Sequence, residues 1–252
     1  MSHSVNDIMD VCLSAGELML KSGAETYRVE DTMTRIARSF GMEIVHAYVT
    51  PTAIILSVQG DDPSETQTKL CRITERSIDL YKVTLVNALS RRLANGELTF
   101  AEMKRALEKA EKTTFLYPLW LQVVSAAIGS GCFALMFQGG WTDFIPSVIA
   151  GGSGYIVFIA LHRFVRIKFF SELVAAFTIG LIAEWMVMLG IGERLDKIII
   201  GSVMPLVPGL FITNAVRDLM AGDLLSGLSR GVEAFLTAFA IGTGIAVVLA
   251  IF

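Results

Sequence analysis

Residues 113–142, TTFLYPLWLQVVSAAIGSGCFALMFQGGWT, carry no charged side chain. A bilayer's hydrocarbon core takes roughly 20 apolar residues in helical form, because only a helix satisfies its own backbone polar groups there. Tyr117 and Trp120 stand at one end of the run and Trp141 at the other, the aromatic flanks that suit a membrane interface. The stretch therefore predicts a transmembrane span at about 117–138. Four more apolar runs follow it, predicting spans at about 144–161, 170–190, 197–216 and 231–252. The second enters past Pro146 and carries Gly151, Gly152 and Gly154. Glu184 interrupts the third, and Pro205, Pro208 and Gly209 break the fourth. Gly242 and Gly244 in the fifth suit close helix contact.

The residues before this run read differently. Residues 1–112 hold 14 Lys/Arg and 16 Asp/Glu, whereas residues 113–252 hold 7 and 8 and 17 of the 22 glycines. The first stretch has the charge density of a soluble domain and the second that of a membrane region. The expected fold is an α-helical integral membrane protein with about five transmembrane helices (115–252), preceded by a small cytoplasmic α+β domain (1–114). The opening MSHSVNDIMD lacks the basic start and apolar core of a signal peptide, hence the cytoplasmic placement.

Within that domain, Ile8, Val11, Cys12, Ala15 and Met19 recur at helical spacing. Ser22 and Glu25 match a capping box that would open a helix with Val29, Met33, Ile36 and Phe40 on one face and Gly41 at its end. Residues 42–50 and 52–60 predict a hairpin turning at Pro51, and a third strand falls near 67–74. Asp79 is a candidate cap for a helix to about Leu93, stopped by Asn95-Gly96. Thr99 and Glu102 form a second capping box. His46 is expected to be a half-buried strand residue.

Lys/Arg in the loops set the orientation. Loop 138–143 has none and goes outside, and Arg163, Arg166 and Lys168 go inside. Arg194 and Lys197 fall outside, against the rule, and the 217–230 loop inside. Net charge −3 speaks against nucleic acid as a partner. Cys12, Cys71 and Cys132 fit neither a disulfide framework nor a zinc site, and no cofactor or metal is expected. No nucleophile elbow, P-loop, HExxH or kinase signature points to catalysis.

Ionisable groups within spans are costly and mark candidate pathways. Glu184 is the clearest, either on a proton or substrate route or protonated between helices, and Glu172 lies at the start of the same helix. Pro205, Pro208 and Gly209 would free carbonyls near residues 201 and 204, with Thr213 and Asn214 just beyond. The break would line a cavity or be a passive kink. Asn214, Arg217 and Asp218 share a helix face, with Asp223 following. Arg217 could grip a substrate carboxylate, or Asp218 or Glu233 could neutralise it. In the N-terminal domain, Ser22, Gly23, Glu25, Tyr27, Arg28 and Glu30 form a polar cluster that helix-end electrostatics could equally explain.

Two stretches resemble the threonine/serine exporter family. One is Ser22-Gly23-Ala24-Glu25-Thr26-Tyr27-Arg28-Val29-Glu30 followed by Gly41. The other is Pro208-Gly209 with Asn214, Arg217-Asp218, Gly222-Asp223 and Ser226-Gly227. The plan is similar to the YjjP-type subunit, the N-terminal half of ThrE-like exporters, over nearly the whole chain. The resemblance implies an inner-membrane exporter of small carboxylate metabolites, threonine, serine or dicarboxylates such as succinate. It also implies a separate second membrane subunit of YjjB type. Ion-coupled secondary transport, with Glu184 as the proton carrier, is the leading reading, and a homo-oligomer is a further arrangement. The alternatives are a membrane-tethered enzyme or sensor acting through the N-terminal domain, and a structural partner that positions another subunit.

Overall fold

The computed structural model describes residues 4–60, 66–113, 117–165, 167 and 169–252. Arg166 and Lys168 of the expected basic loop lie outside the described residues. The chain forms two compact units, Met1–Leu116 with Ile212–Gly231, and Tyr117–Phe211 with Val232–Phe252. Residues 212–231 thus fold with the N-terminal residues.

In the first unit, helices α1 (Val5–Lys21), α2 (Thr26–Ser39), α3 (Leu80–Ala94) and α4 (Phe100–Lys112) pack with a three-stranded antiparallel sheet of order β1-β2-β3. The helical stripes read from the sequence form the core: Ile8, Cys12, Ala15 and Met19 from α1, Val29, Met33 and Ile36 from α2, and Met103 from α4 are at most 1 % exposed. Gly41 takes positive φ (+86°) just after α2, and the following N–H of Met42 returns to the Ala37 carbonyl, the glycine-ended helix stop expected there. Strands β1 (Val45–Thr50) and β2 (Ala53–Val58) turn at Pro51-Thr52, and β3 (Gln67–Arg72) completes the sheet. Its inner face buries Val49, Ile54, Leu56 and Val58. His46 is exposed on the opposite face, opposite Ser57, rather than half-buried. Asp79 caps α3, and Thr99 with Glu102 forms the capping box of α4.

One predicted cap is overturned. Ser22 ends α1, donating its N–H to Leu18 and Met19, and the chain turns through Gly23 at φ +91°. Helix α2 begins only at Thr26, with Glu25 at its N-cap and no local side-chain cap. The Ser-x-x-Glu spacing fits a capping box only if Ser22 precedes the helix, and here it closes the previous one.

In the second unit, α5 (Leu119–Met136), α6 (Trp141–Phe164), α7 (Phe170–Met188) and α10 (Leu224–Ile251, which starts in the first unit) are each long and apolar enough to cross a membrane. A fifth crossing is available only if α8 (Leu195–Val203), the 3-10 turn Met204–Leu206 and α9 (Gly209–Ala221) count as one broken span, which is bent by 64°. Small residues let the helices close up. A Cβ on Gly201 of α8 would sit 2.6 Å from the Ala134 nitrogen of α5, and one on Gly244 of α10 would sit 2.4 Å from the Leu173 carbonyl oxygen of α7. Gly242, also expected at a contact, has nothing within 4 Å of such a Cβ. Buried Asp143, absent from the sequence expectations, accepts the backbone N–H groups of Gly140, Glu193 and Arg194 at 2.8–3.0 Å. It thereby ties the start of α6 to the loop before α8. Arg194 adds a bond to the Gln138 carbonyl, at 2.7 Å.

Candidate functional site

The sequence candidates divide between the two units. Glu172, Glu184, Pro205, Pro208 and Gly209 belong to the second, and Ser22, Gly23, Glu25, Tyr27, Arg28, Glu30, Thr213, Asn214, Arg217, Asp218 and Asp223 to the first. In the second unit the candidates do not gather. Glu184 is half-buried about one turn from the C-terminal end of α7. Its neighbour Ala183 packs with Ile198 and Ile199 of α8, whereas the Leu206 turn packs with Ala175, Ala176 and Ile179. Glu184 therefore sits five residues, roughly 7 Å of helix, past the level of the proline break. Glu172 is half-buried in the first turn of α7. The proline break also satisfies itself. The Gly201 carbonyl accepts from the Met204 N–H, and the Met204 carbonyl from Val207 at 3.2 Å. The carbonyls expected to be free near 201 and 204 are thus taken up by the 3-10 turn.

In the first unit the two motifs meet. Helix α9 ends at Gly222 (φ +92°), Asp223 leads into α10, and this helical hairpin lies against the Gly23–Thr26 turn. The shared face read from the i, i+3, i+4 spacing is real. Asn214 donates to the Gly23 carbonyl at 3.0 Å, Arg217 donates to Glu25 Oε1 at 2.5 Å, and Asp218 Oδ1 accepts from Thr26. Thr26 explains the missing local cap of α2. Its backbone N–H, an orphan donor of the first turn, reaches Asp218 Oδ1 at 3.3 Å. A carboxylate at a helix N-terminus also complements the helix dipole. The Thr26 hydroxyl lies 2.9 Å from Asp218 Oδ1 and 3.2 Å from Asp223 Oδ2, so one proton serves two carboxylates.

Two ion pairs hold the hairpin, and they differ in kind. Asp218 and Arg230 pair at 3.3 Å with side chains 0 % and 6 % exposed, and Arg230 also donates to the Ala24 carbonyl at 2.8 Å. Glu25 (8 %) is gripped from two sides, by Arg28 Nε at 3.0 Å and by Arg217, whose side chain is 54 % exposed. Asp218, one partner expected for Arg217 from sequence, is paired with Arg230 instead. Burial alone would raise the Glu25 carboxyl, but its own backbone N–H and the two arginines outweigh that and hold it below the ordinary carboxylate range. Glu30, one helix turn further, goes the other way. Burial and the charges of Asp223 and Asp218 raise it, although the Val49 N–H it accepts (2.8 Å) opposes the shift. Ser226 donates to the Val49 carbonyl at 3.3 Å. Glu30 from the first motif and Ser226 from the second thus bond both backbone polar groups of Val49 on edge strand β1. Tyr27 and Thr213 stand exposed at the rim. Arg230 and Ser226 stand in the sequence within the polar stretch from Asn214 to Glu233, with no partner assigned, and Ala24 stands within the first motif. The motif carried Ala24 and Ser226, but nothing in local spacing marked Arg230 as the partner of Asp218.

Among the described residues, no group of three or more His, Cys, Asp and Glu could hold a metal ion. The chemistry on offer is electrostatic: arginines arranged around a carboxylate, on a chain with several membrane-length helices. The membrane-length helices define a multi-pass membrane protein. The family model described as "Putative threonine/serine exporter" matches residues 10–252, and the chain belongs to that threonine/serine exporter family. It is 27% identical over 237 residues to "Probable succinate transporter subunit YjjP" of Klebsiella aerogenes, covering 93% of this chain and 90% of that one. The Escherichia coli protein of the same name is 26% identical, over 96% and 93% of the two chains. "Probable threonine/serine exporter" of Mycobacterium tuberculosis is 24% identical over 92% of this chain, which spans 44% of that relative. No solved structure matches.

Proposed function

We propose that the chain is one subunit of an inner-membrane exporter for small carboxylate metabolites, threonine, serine or succinate, and that Arg217 is the group that engages the substrate carboxylate. The carrying observation is the double-arginine grip on Glu25. The family's threonine/serine exporters and the succinate transporter subunits handle molecules that share one feature, a carboxylate, and a guanidinium fork recognises that group bidentately. The chain matches the YjjP subunits over most of both lengths and less than half of the longer Mycobacterium tuberculosis exporter. This supports a split transporter with a second membrane subunit of YjjB type. In this reading residues 1–114 face the cytoplasm and collect substrate, and transport is ion-coupled, with Glu184 the candidate carrier.

Efflux of labelled threonine, serine and succinate from loaded cells tests the proposal. Arg217→Ala lowers efflux of the transported substrate at least tenfold, and Glu184→Gln removes its dependence on the ion gradient. Unchanged efflux in Arg217→Ala rejects the carboxylate assignment, and unchanged gradient dependence in Glu184→Gln rejects the coupling assignment.

A further inference from the structure

We infer that Glu25 is a built-in occupant of the carboxylate site, a tethered stand-in that a substrate carboxylate must displace from Arg217. The inference rests on the reading of Arg217 as the substrate-binding group. The geometry separates what can exchange from what cannot. Asp218 and Arg230 are buried together, and Arg230 is bonded to the Ala24 carbonyl as well. A ligand reaching either would have to break a buried ion pair, a loss of several kcal/mol. Arg217 is the opposite case. Its side chain is half exposed, and among the described residues its partner is Glu25, through Nη1. A guanidinium has five N–H donors in a planar fork, so an incoming carboxylate can reach the exposed Arg217 side chain, but it gains the full fork only once Glu25 has released Nη1.

Glu25 can also let go without being stranded. Its Oε2 is 3.0 Å from Arg28 Nε, and Arg28 Nη2 reaches Oε1 at 3.5 Å. The carboxylate therefore keeps a cationic partner after Arg217 turns to the ligand. The sequence of events is an anion exchange on one arginine: Arg217 passes from Glu25 to the incoming carboxylate, Glu25 settles on Arg28, and release of the ligand reverses both. Such a stand-in lowers the positive charge of the empty site and weakens apparent affinity by the fraction of time it occupies Arg217. An exporter gains from that, because a cargo held too tightly is not released.

The test is calorimetric titration of the purified full-length chain with succinate, and separately with threonine, at constant ionic strength. Glu25→Gln removes the competing charge and binds the ligand roughly five- to tenfold more tightly than the native chain. Arg28→Gln removes the fallback partner, ties Glu25 to Arg217 and weakens binding severalfold. Arg217→Ala abolishes binding. Opposite signs for Glu25→Gln and Arg28→Gln are the signature, since damage to the fold would weaken binding in both. Equal or weaker binding by Glu25→Gln overturns the inference, and so does failure of the native chain and Glu25→Gln alike to bind either ligand. If efflux still depends on Arg217 in that event, the proposed function survives. Tighter binding by Glu25→Gln alongside efflux indifferent to Arg217 would leave the displacement standing and remove its role in export.

Discussion

Asp218→Ala strikes the contact on which the junction of the two motifs most depends. The substitution removes the partner of a guanidinium that is only 6 % exposed. Breaking a buried ion pair from one side costs about 3–5 kcal/mol. The lower end applies here, because Arg230 keeps the Ala24 carbonyl. The same carboxylate caps Thr26 at the start of α2, and losing a cap adds about 1 kcal/mol. The expected loss is therefore about 4 kcal/mol, against about 0.5–1 kcal/mol for Arg217→Ala, whose ion pair is half open to solvent. Denaturant unfolding of the full chain in detergent, followed by circular dichroism, reads both. The double variant Asp218→Leu with Arg230→Met should recover most of the loss, because it leaves no buried charge unpaired. An Asp218→Ala chain within 1 kcal/mol of native would refute the reasoning, as would a double variant as unstable as its two single changes added together.

Four further outcomes follow from the same geometry. Gly244→Ala drives a Cβ into the Leu173 carbonyl and should cost about 1–3 kcal/mol. Gly242→Ala, with open space at its Cβ, should be neutral or slightly stabilising in the same melt. Glu30→Gln keeps an acceptor for the Val49 N–H while removing a charge that faces Asp223 and Asp218. A carboxyl whose folded pKa is raised favours the fold most below its unfolded pKa, and that contribution is lost as pH rises through the folded one. Glu30→Gln should therefore melt higher than native at neutral pH, with the gap closing as the pH falls towards about 4. A gap that widens on acidification would contradict the assigned direction. Thr99→Ala removes the capping-box hydroxyl of α4 and should cost about 1 kcal/mol in the same unfolding assay.

What could be read from the sequence was whatever is written at short range. The i, i+3, i+4 stripes of α1 and α2, the turn at Pro51, the Thr99 box and the charge-free run before Trp141 each declare themselves within a dozen residues. The face shared by Asn214, Arg217 and Asp218 was legible for the same reason. Its target was not. Gly23 and Asn214 are separated by 191 positions, and no periodicity links them. The Ser22 box misled because its spacing is satisfied on paper while the residue itself closes α1. The true cap of α2 comes from Asp218, which local reading paired with Arg217. Glu184 reads from sequence as a charge interrupting an apolar run, yet it stands only four residues before the end of α7 at Met188. Asp143 passed unremarked because the loop-charge rule counts cations. Its value lies in three backbone N–H groups, two of them fifty residues away.

The central claim is that residues 22–30 and 214–230 form one site, and a crosslink tests it most directly. Cys12, Cys71 and Cys132 are replaced, Thr26→Cys and Asp223→Cys are introduced where the two side chains touch at 3.2 Å, and a protease site is placed at the exposed Asn95-Gly96 turn. After oxidation with copper–phenanthroline to close a disulfide and cleavage without reductant, the two fragments should migrate as one species, while each single-cysteine chain separates into two. Complete separation of the double-cysteine chain would contradict it.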